Sequence, residues 1–247
     1  VEGSVNRIHN FEDANMNKAA TAAAAQLVDI ECIQRAKGLQ SLPPRLREAA
    51  ELRLNNPEAT LSELAQMAET AAALVEAGAD GIVTGALTPE GNLDADALRP
   101  IYAAARQAAD AAGRPVACTL HRAFDVSRDA FAALDAAKAL GLATILTSGQ
   151  AASAPAGASL LHQLGEAAGE DLEILVGAGV TAANLPQLAA QTGARAFHLS
   201  GKQVLDSRMV FRREGVPMGL PGFSEFDLWQ TREDAIRAAR TVLEGLQ

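Results

Sequence analysis

The sequence predicts an α/β protein: a partial (β/α) barrel of five parallel strands, preceded by an all-α N-terminal segment. Three observations carry that expectation. Five apolar runs each end in Gly, Ser, Thr or His and lead into a helical stretch: Gly81–Gly85, Pro115–His121, Ala143–Gly149, Leu172–Gly179 and Ala194–Gly201. This alternation is the grammar of a parallel sheet with helical crossovers, and it gathers polar side chains at the strand ends. Residues 1–57 contain no such run and carry only helical patterns. Five strand–helix units also fall short of the eight that close a barrel.

Taken in order, the chain opens with a helix over 10–37, where Leu27, Ile30 and Ile33 form an apolar stripe and Gly38 ends the run. A second helix starts at Pro43 or Pro44 and reaches Asn55, before Asn56-Pro57 breaks the chain. Thr60-Leu-Ser-Glu63 has the capping-box spacing and predicts a helix to Ala77, stopped at Gly78. The regular part follows: strand 81–84 and helix 94–112, strand 115–120 and helix 128–140, strand 143–147 and helix 157–168. Strand 172–176 with helix 182–191 comes next, then strand 195–199, an irregular stretch to Gln230, and a last helix, 231–246. The boundary between a helical segment, 1–59, and a barrel-like unit, 60–247, falls where this regularity begins.

With 247 residues, 49% hydrophobic and 21% charged, the chain has material for a sizeable core and is not a disordered one. A formal net charge of −9 opposes broad binding to nucleic-acid phosphates, so DNA is not the expected partner. In the N-terminal part, Arg45, Arg47 and Arg53 share their helix with Glu48 and Glu51, which reads as a solvated face. No apolar run approaches the roughly 20 residues of a membrane span, and no charged-then-apolar leader stands at 1–7. Cys32 and Cys118 lie far apart in no metal-type spacing. The expectation is a reducing, cytoplasmic setting without membrane association or a disulfide framework.

Several ordered blocks carry a family resemblance: Gly78-Ala-Asp-Gly-Ile-Val-Thr-Gly85, Gly91-Asn-Leu-Asp94, His121-Arg-Ala-Phe-Asp125, Leu146-Thr-Ser-Gly-Gln150, Gly177-Ala-Gly179, the His198 strand end and Met209-Val-Phe-Arg212. From about residue 62 to 246 the chain resembles the CutC family of TIM-type barrels, whose name comes from copper homeostasis. The resemblance implies that the five strands are equivalent to strands four to eight of eight. It also implies that three opening βα units, with their strand-end residues, have no counterpart here. Residues 1 to about 67 resemble the C-terminal helix-turn-helix domain of the WhiA family of sporulation and cell-division regulators, in the run from Asn6-Arg7 to Asn56-Pro-Glu-Ala-Thr-Leu-Ser-Glu-Leu64. There Thr60–Met67 would be the first helix of the motif. The segment where the basic recognition helix should follow, Glu69–Glu76, is acidic and apolar instead.

His121 is the first candidate for chemistry. Strand alternation puts it on a face with Ala117 and Thr119, at the strand end where barrels place their sites, and turns Cys118 and Leu120 the other way. A hydrogen-bonded structural histidine is the alternative. Arg122 is a ligand for an anion or a salt-bridge partner, and Asp125 orients His121 as the second catalytic residue or caps the following helix. Ser148, Gly149, Gly177, Gly179, Ser200 and Gly201 form short turns whose amides suit a phosphate or carboxylate, though tight strand-to-helix turns also call for glycine. His198 and Ser200 point inward if Phe197 and Leu199 pack on helices. Arg212 either folds over the rim as an anion ligand or stays a surface charge, while Asn92 and Asp94 make a turn and a helix cap.

No metal site is expected, and copper enters only through the family name. Three functions follow. The first is a CutC-like barrel protein binding a small anionic metabolite, with an unspecified reaction in which His121 would move a proton. The second is a DNA-binding regulator acting through the N-terminal helices. The third is a chimeric or fragmentary chain without complete activity, whose open strand edges favour self-association.

Overall fold

The computed structural model describes residues 59–213, 215–216 and 224–246. The helices expected over 10–37 and 43–55 lie outside the described residues. The first described element, α1 (Ala59–Glu76), is followed by five strands alternating with four helices: β1 (Gly81–Thr84), α2 (Ala95–Ala111), β2 (Ala117–Leu120), α3 (Ala130–Ala139), β3 (Thr144–Thr147), α4 (Ala158–Ala168), β4 (Glu173–Val176), α5 (Leu185–Thr192) and β5 (Ala196–Phe197). All four strand pairings are parallel, and the sheet order follows the chain order. This is the five-stranded α/β arrangement that the sequence predicts.

Local chemistry sets the element ends. Asp94 caps α2 by accepting from the Ala97 amide at 3.0 Å, as expected. The cap of α3 is Asp129, which accepts from the Phe131 and Ala132 amides at 2.9 and 3.0 Å. Asp125 therefore caps no α-helix, and that alternative is corrected. Between β2 and α3 the chain makes a 3-10 turn, Arg122–Val126, which apolar periodicity did not reveal.

The core lies between the sheet and its helices. Cys118, Leu120, Ile145, Ile174, Val176 and Phe197 join one buried cluster with Leu98, Tyr102, Leu134, Leu161, Leu164 and Leu185 from α2, α3, α4 and α5. Each such aliphatic side chain contributes about 1.5–3 kcal/mol when buried. A second cluster joins Ala71, Leu74 and Val75 of α1 to Ile82 of β1 and to Ile101, Ala105, Ala108 and Ala109 of α2. The Tyr102 hydroxyl reaches from α2 to the Thr84 carbonyl at 3.1 Å and the Thr119 carbonyl at 2.9 Å, tying α2 to the ends of β1 and β2.

Helix α1 is unbroken over its 18 residues. A helix-turn-helix would turn after Met67, but here the chain stays helical, and the next residues bury Ala71, Leu74 and Val75 against the barrel-type unit.

The stretch expected to be irregular up to Gln230 contains an antiparallel hairpin, β6 (Lys202–Asp206) with β7 (Asp227–Thr231). Its two strands bury almost nothing, so no period-2 apolar signal marked them. Helix α6 (Glu233–Glu244) closes the described chain. Its Ile236 side chain lies where a Cβ on Gly201 would stand, 2.6 Å away, so the positive φ of 54° and the missing side chain at Gly201 both serve that packing.

Candidate functional site

The pairing register sorts the strand residues into two faces. Ile82, Cys118, Leu120, Ile145, Ile174 and Val176 face the helices. By alternation, Val83, Thr119, Thr144, Leu146, Leu175 and Ala196 face the inner side. Two residues further along their strands, Gly85, His121, Ser148, Gly177 and His198 continue that inner face at its C-terminal rim. A Cβ on Gly177 would stand 3.6 Å from the His198 Cβ, and one on Gly85 would stand 2.7 Å from His121 Nδ1. The missing side chain of Gly85 is what makes room for the imidazole.

His121 is half-buried, and its Nδ1 accepts a hydrogen bond from the Ala123 amide at 3.1 Å. That bond occupies the Nδ1 lone pair, so a neutral ring carries its proton on Nε2 and offers a donor there. Cys118 lies on the opposite face, buried among the helices. Burial pushes its thiol pKa up, against the opposing effect of Arg106. The same burial raises the Tyr102 phenol well above its ordinary value.

The turn after β3 is organised around Asp125. Its carboxylate accepts from Thr147 Oγ1 at 2.5 Å, from the Ser148 amide at 3.0 Å, from Ser148 Oγ at 2.9 Å, from the Gln150 amide at 3.2 Å and from Arg122 Nε at 2.7 Å. Burial alone would raise this carboxyl pKa; the hydrogen bonds from Thr147, Arg122, Ser148 and Gln150 outweigh it and hold it below the usual carboxylate range. The amide of Gly149 is taken by Thr147 Oγ1 at 2.9 Å. All three amides of the turn therefore have partners within the chain, and two of them, Ser148 and Gln150, hold the Asp125 carboxylate. Arg122 also donates to Ser148 Oγ at 3.1 Å, leaving its outer edge half-exposed. Gln150, at a positive φ of 52°, clamps the 3-10 turn by donating to the Phe124 and Ser127 carbonyls at 3.2 and 2.9 Å.

The turn after β4 is different. Ala178 and Gly179 adopt positive φ values of 74° and 76°. Among the described residues, no hydrogen bond engages the amides of Ala178, Gly179 or Val180. The carbonyls of that turn are used, by Ala154 N at 2.8 Å and Asn184 Nδ2 at 2.9 Å. Ser200 is exposed and Gly201 half-buried at the start of the hairpin. Arg212 belongs to the hairpin: it grips both Asp206 oxygens at 2.7 Å and stacks over Phe226 at 4.6 Å, and this holds Asp206 below its ordinary pKa.

The structure thus brings Arg122, Asp125, Ser148 and Gly149 into one rim cluster and puts Gly177 and His198 side by side. His121 stands at the neighbouring strand end with its Nδ1 on the Ala123 amide. The expectation that Asp125 orients it is corrected, because the Asp125 carboxylate is bonded to Arg122, Thr147, Ser148 and Gln150. Arg212 is engaged elsewhere. Sequence reasoning missed Gly85, Thr147 and Gln150 as site-shaping residues. Thr147 has the parity of the helix face, so strand alternation gave no reason to place it at the site, and the strained backbone of Gln150 leaves no compositional trace.

The parallel βα units define the class, a barrel-type α/β protein, and its candidate site lies at the C-terminal rim. The sequence model of the CutC family matches residues 59–203, and the chain belongs to that family. The model of the WhiA C-terminal HTH domain matches residues 5–74, overlapping the first match along α1. A CutC family protein of Chromobacterium violaceum is 44% identical over 167 residues, covering 68% of this chain and 64% of that protein. One from Vibrio vulnificus is 36% identical over 184 residues, 74% and 71% of the two chains. The human copper homeostasis protein cutC homolog is 35% identical over 170 residues, 68% and 59%. A solved CutC structure from Streptococcus agalactiae superposes with a TM-score of 0.50 at 28% identity, covering 58% of this chain and 64% of that one. The chain spans 64% and 62% of the lengths of the first two curated relatives it matches.

Proposed function

We propose that this chain binds a small anionic metabolite at the C-terminal rim of its sheet, with the ligand's negative group on the amides of Ala178, Gly179 and Val180. The observation that carries this reading is the contrast between two turns. The β3 turn has spent its amides on Asp125 and Thr147, whereas the β4 turn presents three amides that no described residue takes up. Backbone amides left without partners are costly unless water or a ligand meets them, and an anion is the ligand they favour. His121 Nε2 and the free edge of Arg122 supply donors on the same rim. Asp125 acts as a positioning residue, because a carboxylate saturated with donors moves no proton at neutral pH. His121 is the group able to pass a proton to a bound substrate, and the glycine turn stabilises the charge.

Copper, implied by the family name, fits the described donors poorly. Cys118 and the two rim histidines lie on opposite faces of the sheet, and the described residues hold no cluster of three His, Cys, Asp or Glu side chains.

The test is a titration of the isotopically labelled chain with inorganic phosphate, followed by amide shifts. Saturable shifts at Ala178–Val180 with Ser148–Gln150 unmoved support the reading. Shifts confined to Ser148–Gln150, or none up to about 10 mM, the weak limit for a useful site, count against it.

A further inference from the structure

We propose that Ser153, on the loop between β3 and α4, is the fourth donor of the anion site at the β4 turn, and that its hydroxyl makes the site select a phosphoryl group over a carboxylate. The inference rests on the reading that Ala178, Gly179 and Val180 receive an anion, and it adds the side chain that decides which anion.

The loop that carries Ser153 is tied down at both ends. Ser148 Oγ donates to the Ala151 carbonyl at 2.6 Å, which joins the start of the loop to the Asp125 network. Ala154, the residue after Ser153, is fully buried, and its amide donates to the Ala178 carbonyl at 2.8 Å. The Ser153 carbonyl accepts from the Gly157 amide at 3.0 Å. These bonds hold the Ser153 side chain over the β4 turn, where a Cβ on Gly179 would stand 3.6 Å from the Ser153 Cβ. One oxyanion accepting two hydrogen bonds of about 2.9 Å spans a gap of roughly 5–6 Å. Rotation about a single side-chain bond lets the Ser153 hydroxyl enter that span from the amides beside Gly179.

The hydroxyl is also unspent. Ser148, the other serine of this segment, gives its Oγ to Asp125 and to the Ala151 carbonyl, and buried Ser127 gives its own to the Phe124 carbonyl. Ser153 is half-buried, and among the described residues no hydrogen bond engages its Oγ. A hydroxyl with its proton and lone pairs free thus stands beside three free amides, and the four donors come from two different loops. A carboxylate brings two oxygens in one plane, which the amides of a single turn can satisfy. A phosphoryl group brings three acceptor oxygens pointing to different sides, so a donor from a second loop has an oxygen of its own to meet.

The experiment titrates the full, isotopically labelled chain with inorganic phosphate and, separately, with acetate, in the wild type, Ser153→Ala and Ser153→Thr. The wild type should bind phosphate more tightly than acetate, with the Ser153 amide shifting alongside Ala178–Val180. Ser153→Ala should weaken phosphate about fivefold or more, the loss of one hydrogen bond to a charged group, and leave acetate within about twofold. Its unfolding midpoint and its ligand-free Ala154 shift should match the wild type, because the hydroxyl holds nothing in the free chain. Ser153→Thr keeps the hydroxyl and should keep the preference for phosphate. The proposal is overturned if Ser153→Ala retains phosphate affinity within about twofold while Ala178–Val180 still shift, an outcome that leaves the anion site itself standing. Equal weakening of phosphate and acetate, or a threonine variant as weak as the alanine one, overturns it as well. Absence of any shift at Ala178–Val180 in the wild type removes the anion site and the role of Ser153 together.

Discussion

Asp125 does for its turn what a bound phosphate does elsewhere, and that assigns it a measurable pH signature. Its folded-state pKa is lowered, so the stability it confers is present above the ordinary carboxylate pKa and is lost as pH falls through the depressed folded value. Asp125→Asn turns one acceptor oxygen into a donor facing Ser148 and Thr147, and is expected to cost about 2–4 kcal/mol at pH 7. Urea unfolding at pH 7 and pH 2 should show that gap shrinking in acid, and a constant gap would sink the carboxylate's role. Gly85→Ala is a sharper probe of the rim. The added methyl would meet His121 Nδ1 at 2.7 Å and break the bond from Ala123, so the His121 ring resonances should move while global stability falls by about 1–3 kcal/mol. Sequence alternation did place His121 inward and Cys118 outward. The donors that converge on Asp125 were beyond its reach, because they come from a turn that only tertiary contact brings within 3 Å.

At the scale of elements, periodicity located every strand of the sheet and every helix from α1 to α6 to within a few residues. It shortened the chain's story only where burial was absent, at the hairpin, and where a turn replaced a helix, at Arg122–Val126. Asp94 was readable as a cap from its place before an apolar-periodic run, whereas for α3 the sequence reading took Asp125 as the cap candidate and the cap is Asp129, four residues on. The Tyr102 hydroxyl is the link between elements that one substitution can cut. Tyr102→Phe removes the one hydroxyl donor that the Thr84 and Thr119 carbonyls share, leaving Thr84 with the His121 amide, and should cost about 1–2 kcal/mol, read from the denaturation midpoint. Helix α1 bears on the DNA-binding alternative. Its residues Ala71, Leu74 and Val75 are committed to α2. Fluorescence anisotropy with duplex DNA should therefore show no affinity that falls steeply with salt, and a steep salt slope would revive the regulator.

Across the whole molecule, the sheet has a gradient of support from its centre to its sides. Among the described residues β3 is paired on both flanks, while β1 and β5 are paired on one. Native-state hydrogen exchange should find the slowest amides in β3 and β2, with β1 and β5 exchanging at least about tenfold faster. Equal protection across the sheet would mean that the flanks are covered in solution. No helix among the described residues is long and apolar enough to cross a membrane, in line with the expectation from the sequence.

The filled turn after β3 has a kinetic meaning as well. A loop that supplies its own anion is ordered before any ligand arrives, so that half of the rim has no folding step to complete on encounter. Anion binding at the rim should therefore draw no slow phase from that half in stopped-flow mixing. Any slower, concentration-independent phase would have to originate on the other half, where Ala178 and Gly179 wait with their amides unclaimed by the described chain.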